Sequence, residues 1–144
     1  MKPSLTKLLA FLGFASVAMA ADVAVTEGEC WLYATRPGEE DSFLVIRKIE
    51  TLPKFGEVIH ISVFGVKIKN PAAPKGYVDQ LADLPISGAS LRGSLKEKVQ
   101  RKIPDVNWRI GYQRWLAARG GVSTKPVSDC VSFVEEAINR GKKG

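Results

Sequence analysis

The sequence has few of the residues that build metal and phosphate sites. Its 144 residues include one histidine and two cysteines. Structural zinc sites need several Cys or His ligands at short spacing, and calcium loops need closely spaced Asp and Asn residues; neither pattern occurs. No glycine-rich phosphate-binding loop leads from a predicted strand into a helix. The sequence therefore predicts neither a bound metal nor a cofactor.

Long apolar runs are also scarce, and the clearest one lies at the N-terminus. Lys2 and Lys7 precede an apolar run over 8–17, and the small-x-small sequence Ala18-Met19-Ala20 follows that run. This order is typical of a cleaved signal peptide, and the run is too short to span a bilayer. We expect residues 1–20 to be a signal peptide and 21–144 to be a single exported domain, periplasmic or secreted, with no transmembrane segment.

The two cysteines lie far apart in the chain, at Cys30 and Cys130. An even number of cysteines in an exported protein favours a disulfide. Closing a loop of about 100 residues would stabilise the fold by up to roughly 4.7 kcal/mol in the chain-entropy picture. The sequence thus predicts a Cys30–Cys130 bridge.

Charge is distributed unevenly along the chain. Residues 21–90 contain 7 basic and 10 acidic side chains, whereas 91–144 contain 12 basic and 5 acidic ones. A basic half can bind an anionic surface, or it can simply keep the protein soluble. In an exported protein the expected partners are an envelope protein, an anionic envelope polymer or lipid headgroups, ahead of nucleic acid.

The first part of the chain predicts strands and the second part predicts helices. Runs rich in β-branched and aromatic residues cover 29–36, 42–50 and 56–70, with Gly65 marking either a bend or a hairpin turn. The segment 77–87 is ambiguous between an edge strand and irregular chain. We expect an α+β fold in which a small, strongly bent antiparallel sheet of three to five strands precedes three helices packed on one of its faces.

Apolar spacing and capping residues define the three expected helices. The first covers 90–103, where apolar residues recur every fourth position, and Pro104 ends it. The second covers 105–121, with Asp105 as its N-cap. The third covers about 126–140, with Pro126 near its start.

A basic and aromatic segment, 92–119, is a candidate binding surface. Cations beside stacking aromatics suit glycan, nucleic-acid or protein partners, although aromatics at helical spacing usually pack in a core. The candidate binding residues are Arg92, Lys96, Arg101, Trp108, Arg109, Tyr112 and Trp115.

Cys130 is also a candidate nucleophile, because a cysteine in the first turn of a helix lies near a positive helix end. The segment "DCVSFV" resembles the nucleophile segment of NlpC/P60-type, papain-like cysteine peptidases, and "GEVIHISV" is similar to the histidine strand of their circularly permuted members. The resemblance implies Cys130 as nucleophile and His60 as base, acting on peptide, amide or thioester bonds. If Gly65 centres a hairpin turn, Asn70 faces His60 and orients it.

Two functions are the main candidates; a third, association of segment 92–119 with a membrane surface, is less favoured because no predicted helix divides cleanly into a basic and an apolar face. The first is an exported binding module, inhibitor- or immunity-like, that is held together by the Cys30–Cys130 bridge and binds an envelope protein or anionic polymer. The second is a cysteine hydrolase that uses Cys130, His60 and Asn70. They differ in the state of the thiols, since a bridged cysteine cannot serve as a resting nucleophile.

Overall fold

The computed structural model of the protein describes residues 23–140, so the signal peptide expected over 1–20 lies outside the described residues. The described chain begins with strands and ends with helices, with one late strand between the first and second helix. In chain order the elements are β1 (Cys30–Tyr33), β2 (Phe43–Leu52), β3 (Gly56–Lys69), β4 (Tyr77–Ser87), α1 (Gly88–Ser94), β5 (Leu95–Val99), α2 (Trp108–Ala118) and α3 (Val127–Arg140).

The five strands form one open antiparallel sheet in the order β4-β3-β2-β1-β5. The α+β class and the antiparallel sheet are therefore confirmed, at the upper end of the expected strand number; the strong bend stays a prediction. The ambiguous segment 77–87 is the edge strand β4. At its C-terminal end Ser123 forms two backbone hydrogen bonds with it, one from Ser87 N–H (2.9 Å) and one to the Pro85 carbonyl (3.1 Å).

Helices cover both faces of the sheet. Side chains alternate between faces along a strand, and β3 shows this clearly: Ile59 and Ile61 pack with α1 and α3, whereas His60 between them contacts α2. The expectation that all three helices share one face is therefore wrong. The chain between β5 and α2 carries α2 to the side opposite α1 and α3.

Helix α3 has the expected position and apolar face. Val127 and Val131 are fully buried, and Val134 and Ile138 pack against the same core. These residues recur at helical spacing, so one side of α3 meets the sheet along its length.

The expected helix over 90–103 is wrong. The chain is helical only over α1 and then extends as β5, which pairs with β1. Leu95 and Val99 are four positions apart, which is about one helical turn but also two strand repeats. The strand is favoured because β2 pairs with only one edge of β1. Pairing with 95–99 satisfies the backbone hydrogen-bonding groups along the other edge of β1 and along 95–99 itself.

Gly65 marks a bend within a strand and not a hairpin turn. Its φ is +84°, and a Cβ there would lie 3.0 Å from Ser42 Cα, so glycine suits both the conformation and the close approach. The β3–β4 pairing shifts register around this point, as expected at a bulge. Since β3 continues to Lys69, Asn70 is not folded back against His60.

Within residues 23–140 no helix is long and apolar enough to cross a bilayer.

Candidate functional site

The two cysteines are free thiols, and the predicted Cys30–Cys130 disulfide is wrong. Cys30 lies on β1 and packs with Val45 and Phe64, on the face covered by α2. Cys130 lies on α3 and packs into the core on the opposite face. A disulfide requires Cα atoms within about 7 Å and side chains that point toward each other, and here the sheet lies between them.

Cys130 is buried and in contact with Ser123 rather than with a histidine. The Cys130 Sγ and Ser123 Oγ atoms are 2.9 Å apart, and the thiol also contacts the Lys125 carbonyl at 3.7 Å. Burial raises the pKa of the Cys130 thiol, and the nearby charge of Asp129 raises it further. The thiol therefore lacks the activated character that its position near a helix N-terminus suggested.

His60 is fully buried between two carboxylates from neighbouring strands. Its Nε2 lies 2.9 Å from Glu50 Oε2 on β2, and its Nδ1 lies 3.1 Å from Asp83 Oδ1 on β4. Each ring nitrogen of His60 is therefore within hydrogen-bond distance of one carboxylate oxygen. Tyr112 and Trp115 lie edge-on to the imidazole, with ring centroids 4.7 and 4.8 Å away.

This arrangement fixes α2 on the sheet and leaves His60 without a nucleophile. Tyr112 donates a hydrogen bond from its hydroxyl to Glu50 (3.1 Å), so helix, histidine and carboxylate form one network. Cys130 is on the other face of the sheet. Asn70 follows the end of β3, where its side chain accepts a hydrogen bond from Ala72 N–H (3.1 Å). The structure does not bring the three proposed catalytic residues together.

No metal site accompanies this histidine. Among residues 23–140 there is no group of three His, Cys, Asp or Glu side chains arranged to hold a metal ion.

The seven candidate binding residues separate into different parts of the fold. Arg92 on α1 is occupied, since it pairs with Glu57 (2.5 Å) and donates to the Val23 carbonyl (2.7 Å). Lys96 lies on β5. The remaining five lie on α2 or in the segment just before it: Arg101, Trp108, Arg109, Tyr112 and Trp115.

The aromatics of α2 mostly face the sheet, while its cations face outward. Tyr112 and Trp115 contact His60, so they serve packing rather than a free stacking platform. Arg109 and Arg114 are exposed, and Arg109 lies over the Trp108 ring at 4.9 Å. No residue of α2 is buried, so one side of this helix packs only shallowly on the sheet.

Exposed apolar and basic side chains are concentrated on this helix and beside it. Five large apolar residues of the described chain are exposed: Ile110 and Leu116 on α2, Ile103 in the segment before it, Phe55 in the β2–β3 turn, and Phe133 on α3. None of the exposed cations here forms an ion pair within residues 23–140. We define the basic surface as these exposed residues: Lys54, Phe55, Arg101, Lys102, Ile103, Arg109, Ile110, Arg114, Leu116 and Arg119.

A groove of about 390 Å³ opens within the basic surface, between the β2–β3 turn and the C-terminal end of α2. Leu52, Phe55, Trp115 and Leu116 give it apolar walls, and Lys54 and Arg119 add two cations. A second groove, of about 560 Å³, lies between the C-terminal part of β4, the segment 121–125 and α3, and is bounded mainly by apolar residues around Phe133.

The Trp115 wall of the first groove is held from two sides. The indole Nε1–H donates to the Gly121 carbonyl (2.9 Å). The ring also packs directly on Gly120, at a position where a side chain would collide with it. The groove therefore has one preformed wall and one wall made by a turn.

Lys54 and Phe55 were not among the residues proposed from sequence, and Arg119 was included only as the last cation of the basic segment 92–119. Phe55 lies in the turn "LPKFG" and belongs to no apolar repeat. Its position outside any repeat was the one sequence feature that indicated an exposed aromatic side chain. The left-handed backbone of Arg119 (φ 50°) has no sequence signal, because this conformation is usually taken by glycine or asparagine.

No protein-family model, curated protein sequence or solved structure matches this chain.

Proposed function

We propose that this protein is an exported binding module that attaches through its basic surface to an acidic surface of another envelope protein. The observation that carries the proposal is the coincidence of unpaired cations and exposed large apolar side chains on α2 and in the segments next to it. Ile110 is 50% exposed and Leu116 is 44% exposed, both on a helix with Arg109 and Arg114. Export is inferred from the N-terminal sequence.

An acidic protein surface explains both features better than a charged polymer does. Segment 101–119 contains five basic residues and one acidic residue, so it attracts negative charge over a long range. A polysaccharide or polyphosphate would satisfy the cations but would leave Ile110 and Leu116 in water. Protein interfaces combine an apolar centre with a charged rim and favour arginine.

Catalysis is less well supported because the groups it needs are apart. The thiol of Cys130 is buried with a raised pKa, and His60 lies on the other face of the sheet. Neither residue belongs to the basic surface. A binding function requires only the exposed groups that are present.

The experiment is affinity capture from envelope extract with Arg109→Glu/Arg114→Glu as the test variant. The matched control is Lys125→Glu/Arg140→Glu, which changes net charge equally at exposed residues beside or on α3. Wild type and control should capture the same proteins at low salt and release them at high salt, since exposed charges are screened. The Arg109→Glu/Arg114→Glu variant should capture at least about tenfold less protein than the wild type does.

Direct polymer and lipid probes complete the test. Vesicles rich in phosphatidylglycerol and soluble poly-glutamate replace the extract in parallel assays. Equal capture by the two double variants would contradict the proposal. So would strong binding to vesicles or poly-glutamate together with no specific protein capture.

A further inference from the structure

We propose that the groove between the β2–β3 turn and the end of α2 receives an apolar side chain from an acidic segment of the partner. The inference rests on the proposed function and adds where, and by what chemistry, the partner is held. The apolar walls would contact the side chain, while Lys54 and Arg119 would pair with carboxylates next to it in the partner's sequence. The occupant is thus a peptide segment in which apolar residues are flanked by Asp or Glu.

The walls of the groove favour an apolar group. Phe55 is 38% exposed and Leu116 is 44% exposed, and both border the groove. Covering them removes apolar surface from water on both partners. Trp115 is fixed by Gly120 and by its hydrogen bond to Gly121, so the groove loses little freedom when it is filled.

The charges around the groove favour a negative neighbour. Within the described chain neither Lys54 nor Arg119 is in an ion pair, and no carboxylate lines the groove. A basic apolar segment would therefore be repelled. An uncharged apolar segment would fill the groove but leave both cations unpaired.

Arg119 supplies a further indication that its side chain is used. It occupies a left-handed position just after α2, with φ 50° and ψ 50°, where its backbone N–H closes the helix end. A non-glycine residue there costs free energy that glycine would avoid. An arginine at this position strains the fold and at the same time places a cation at the rim of the groove.

The experiment measures binding of dye-labelled synthetic peptides by fluorescence anisotropy. The test peptide carries Leu-Phe between pairs of acidic residues. One control peptide replaces Leu-Phe with Ser-Ser, and the other replaces the acidic residues with Lys. We expect binding of the test peptide only, with affinity that falls as salt concentration rises.

Two groove variants and one distant control define the site. Leu116→Ser should weaken binding about tenfold, since it removes most of one apolar contact. Arg119→Gly should weaken it roughly threefold to fivefold while leaving the fold intact, because glycine suits the backbone there. Phe133→Ser, at the exposed residue of α3, should leave affinity unchanged.

Nuclear magnetic resonance of the labelled protein locates the peptide independently. The Trp115 indole N–H signal should shift on binding, whereas that of Trp31, which packs on the opposite face, should not. Shifts confined to residues around Phe133, or equal binding of the Ser-Ser peptide, would overturn the groove assignment.

The outcomes distinguish this inference from the proposed function. If the Arg109→Glu/Arg114→Glu protein loses both extract capture and peptide binding while the groove variants bind the peptide normally, the basic surface stands and the groove is wrong. If the test peptide does not bind the wild type, the groove is also wrong, and the capture assay still decides the role of the basic surface.

Discussion

The chemistry of individual residues in this protein follows mainly from which face of the sheet they occupy. Cys30 and Cys130 are both apolar-packed thiols, but they belong to different faces. His60 is flanked by isoleucines in sequence and by carboxylates in space, because neighbours along a strand point to opposite sides. A pattern of residue types along the chain cannot separate these environments unless the sheet pairing is known.

The thiols give the first prediction. Both cysteines should react with a thiol reagent such as Ellman's reagent after denaturation, and both should react slowly in the native protein. Each is only 5% exposed, and burial raises the pKa of Cys130, so little thiolate is available at neutral pH. Intact mass under non-reducing conditions gives a second measurement. A mass two daltons below that of the dithiol, with no reactive thiol after denaturation, would contradict the fold described here.

Replacing His60 gives the second prediction. His60→Leu should lower the free energy of unfolding by roughly 2–3 kcal/mol, because the buried side chain of Asp83 loses its hydrogen-bond partner. Lys75→Ala is the matched control, since it breaks an exposed pair with Asp79 and should cost less than about 1 kcal/mol. Urea denaturation measures both changes. Similar costs for the two variants would mean that the His60 network contributes little.

At the scale of elements, α2 and α3 are attached to the sheet in different ways. Helix α3 buries Val127, Cys130 and Val131 in the main core. Helix α2 buries no residue, and the Asn107 side chain forms no hydrogen bond that caps its start. Its attachment depends on the contacts of Tyr112 and Trp115 with His60, on the Tyr112–Glu50 hydrogen bond and on the close approach of Gly111 to Asp83.

Hydrogen exchange tests this difference and gives the third prediction. The amides of α2 should exchange well before those of α3 and β3, since local opening of α2 exposes little apolar surface. Trp115→Ala should accelerate exchange in α2 further and leave α3 unchanged. Mass spectrometry of peptic fragments resolves the two helices. Equal protection of α2 and α3 would contradict the weaker attachment of α2 to the sheet.

For the whole molecule, stability should depend on carboxylates that join distant parts of the chain. Arg36 connects Glu39 to Glu135 of α3 by hydrogen bonds of 2.7 to 3.0 Å. Hydrogen bonds from Lys69 N–H and Arg36 lower the pKa of Glu135. Burial alone raises the pKa of Glu39, but Arg36 and Lys67 N–H outweigh it and the pKa is lowered.

The fourth prediction follows from the sign of these shifts. A lowered folded-state pKa means that the unfolded chain binds protons first, so the stabilisation is full above the ordinary value of 4.5 and is lost as pH falls below it. The urea midpoint should therefore decline between pH 5 and lower values. Glu135→Gln should make that decline shallower. A midpoint independent of pH in this range would contradict the role of these carboxylates.

The sequence alone predicts those helices and strands whose apolar spacing fits only one type of secondary structure. Helix α3 was predicted nearly to its ends, because its valines and Ile138 fit only a helix. Strands β2 and β3 were found for the same reason, as dense β-branched runs bounded by turns. The segment 95–99 was misassigned because its spacing fits two periods, and the choice depends on a distant strand.

The candidate site was only partly accessible from sequence. Arg109 and its segment were identified by composition alone. The groove joins residues of the β2–β3 turn to Arg119, more than sixty positions later, and no local pattern links them. Which aromatics face inward was likewise set by His60 and its two carboxylates, an arrangement that exists only once three strands are in register.

Strand β5 is an edge strand of the sheet, and its side chains determine which other strand can pair with it. If two copies met antiparallel about Glu97, that residue would oppose its own twin and Lys96 would oppose Lys98, so every facing charge would be alike. Pairing of two copies through β5 in this register is thereby disfavoured.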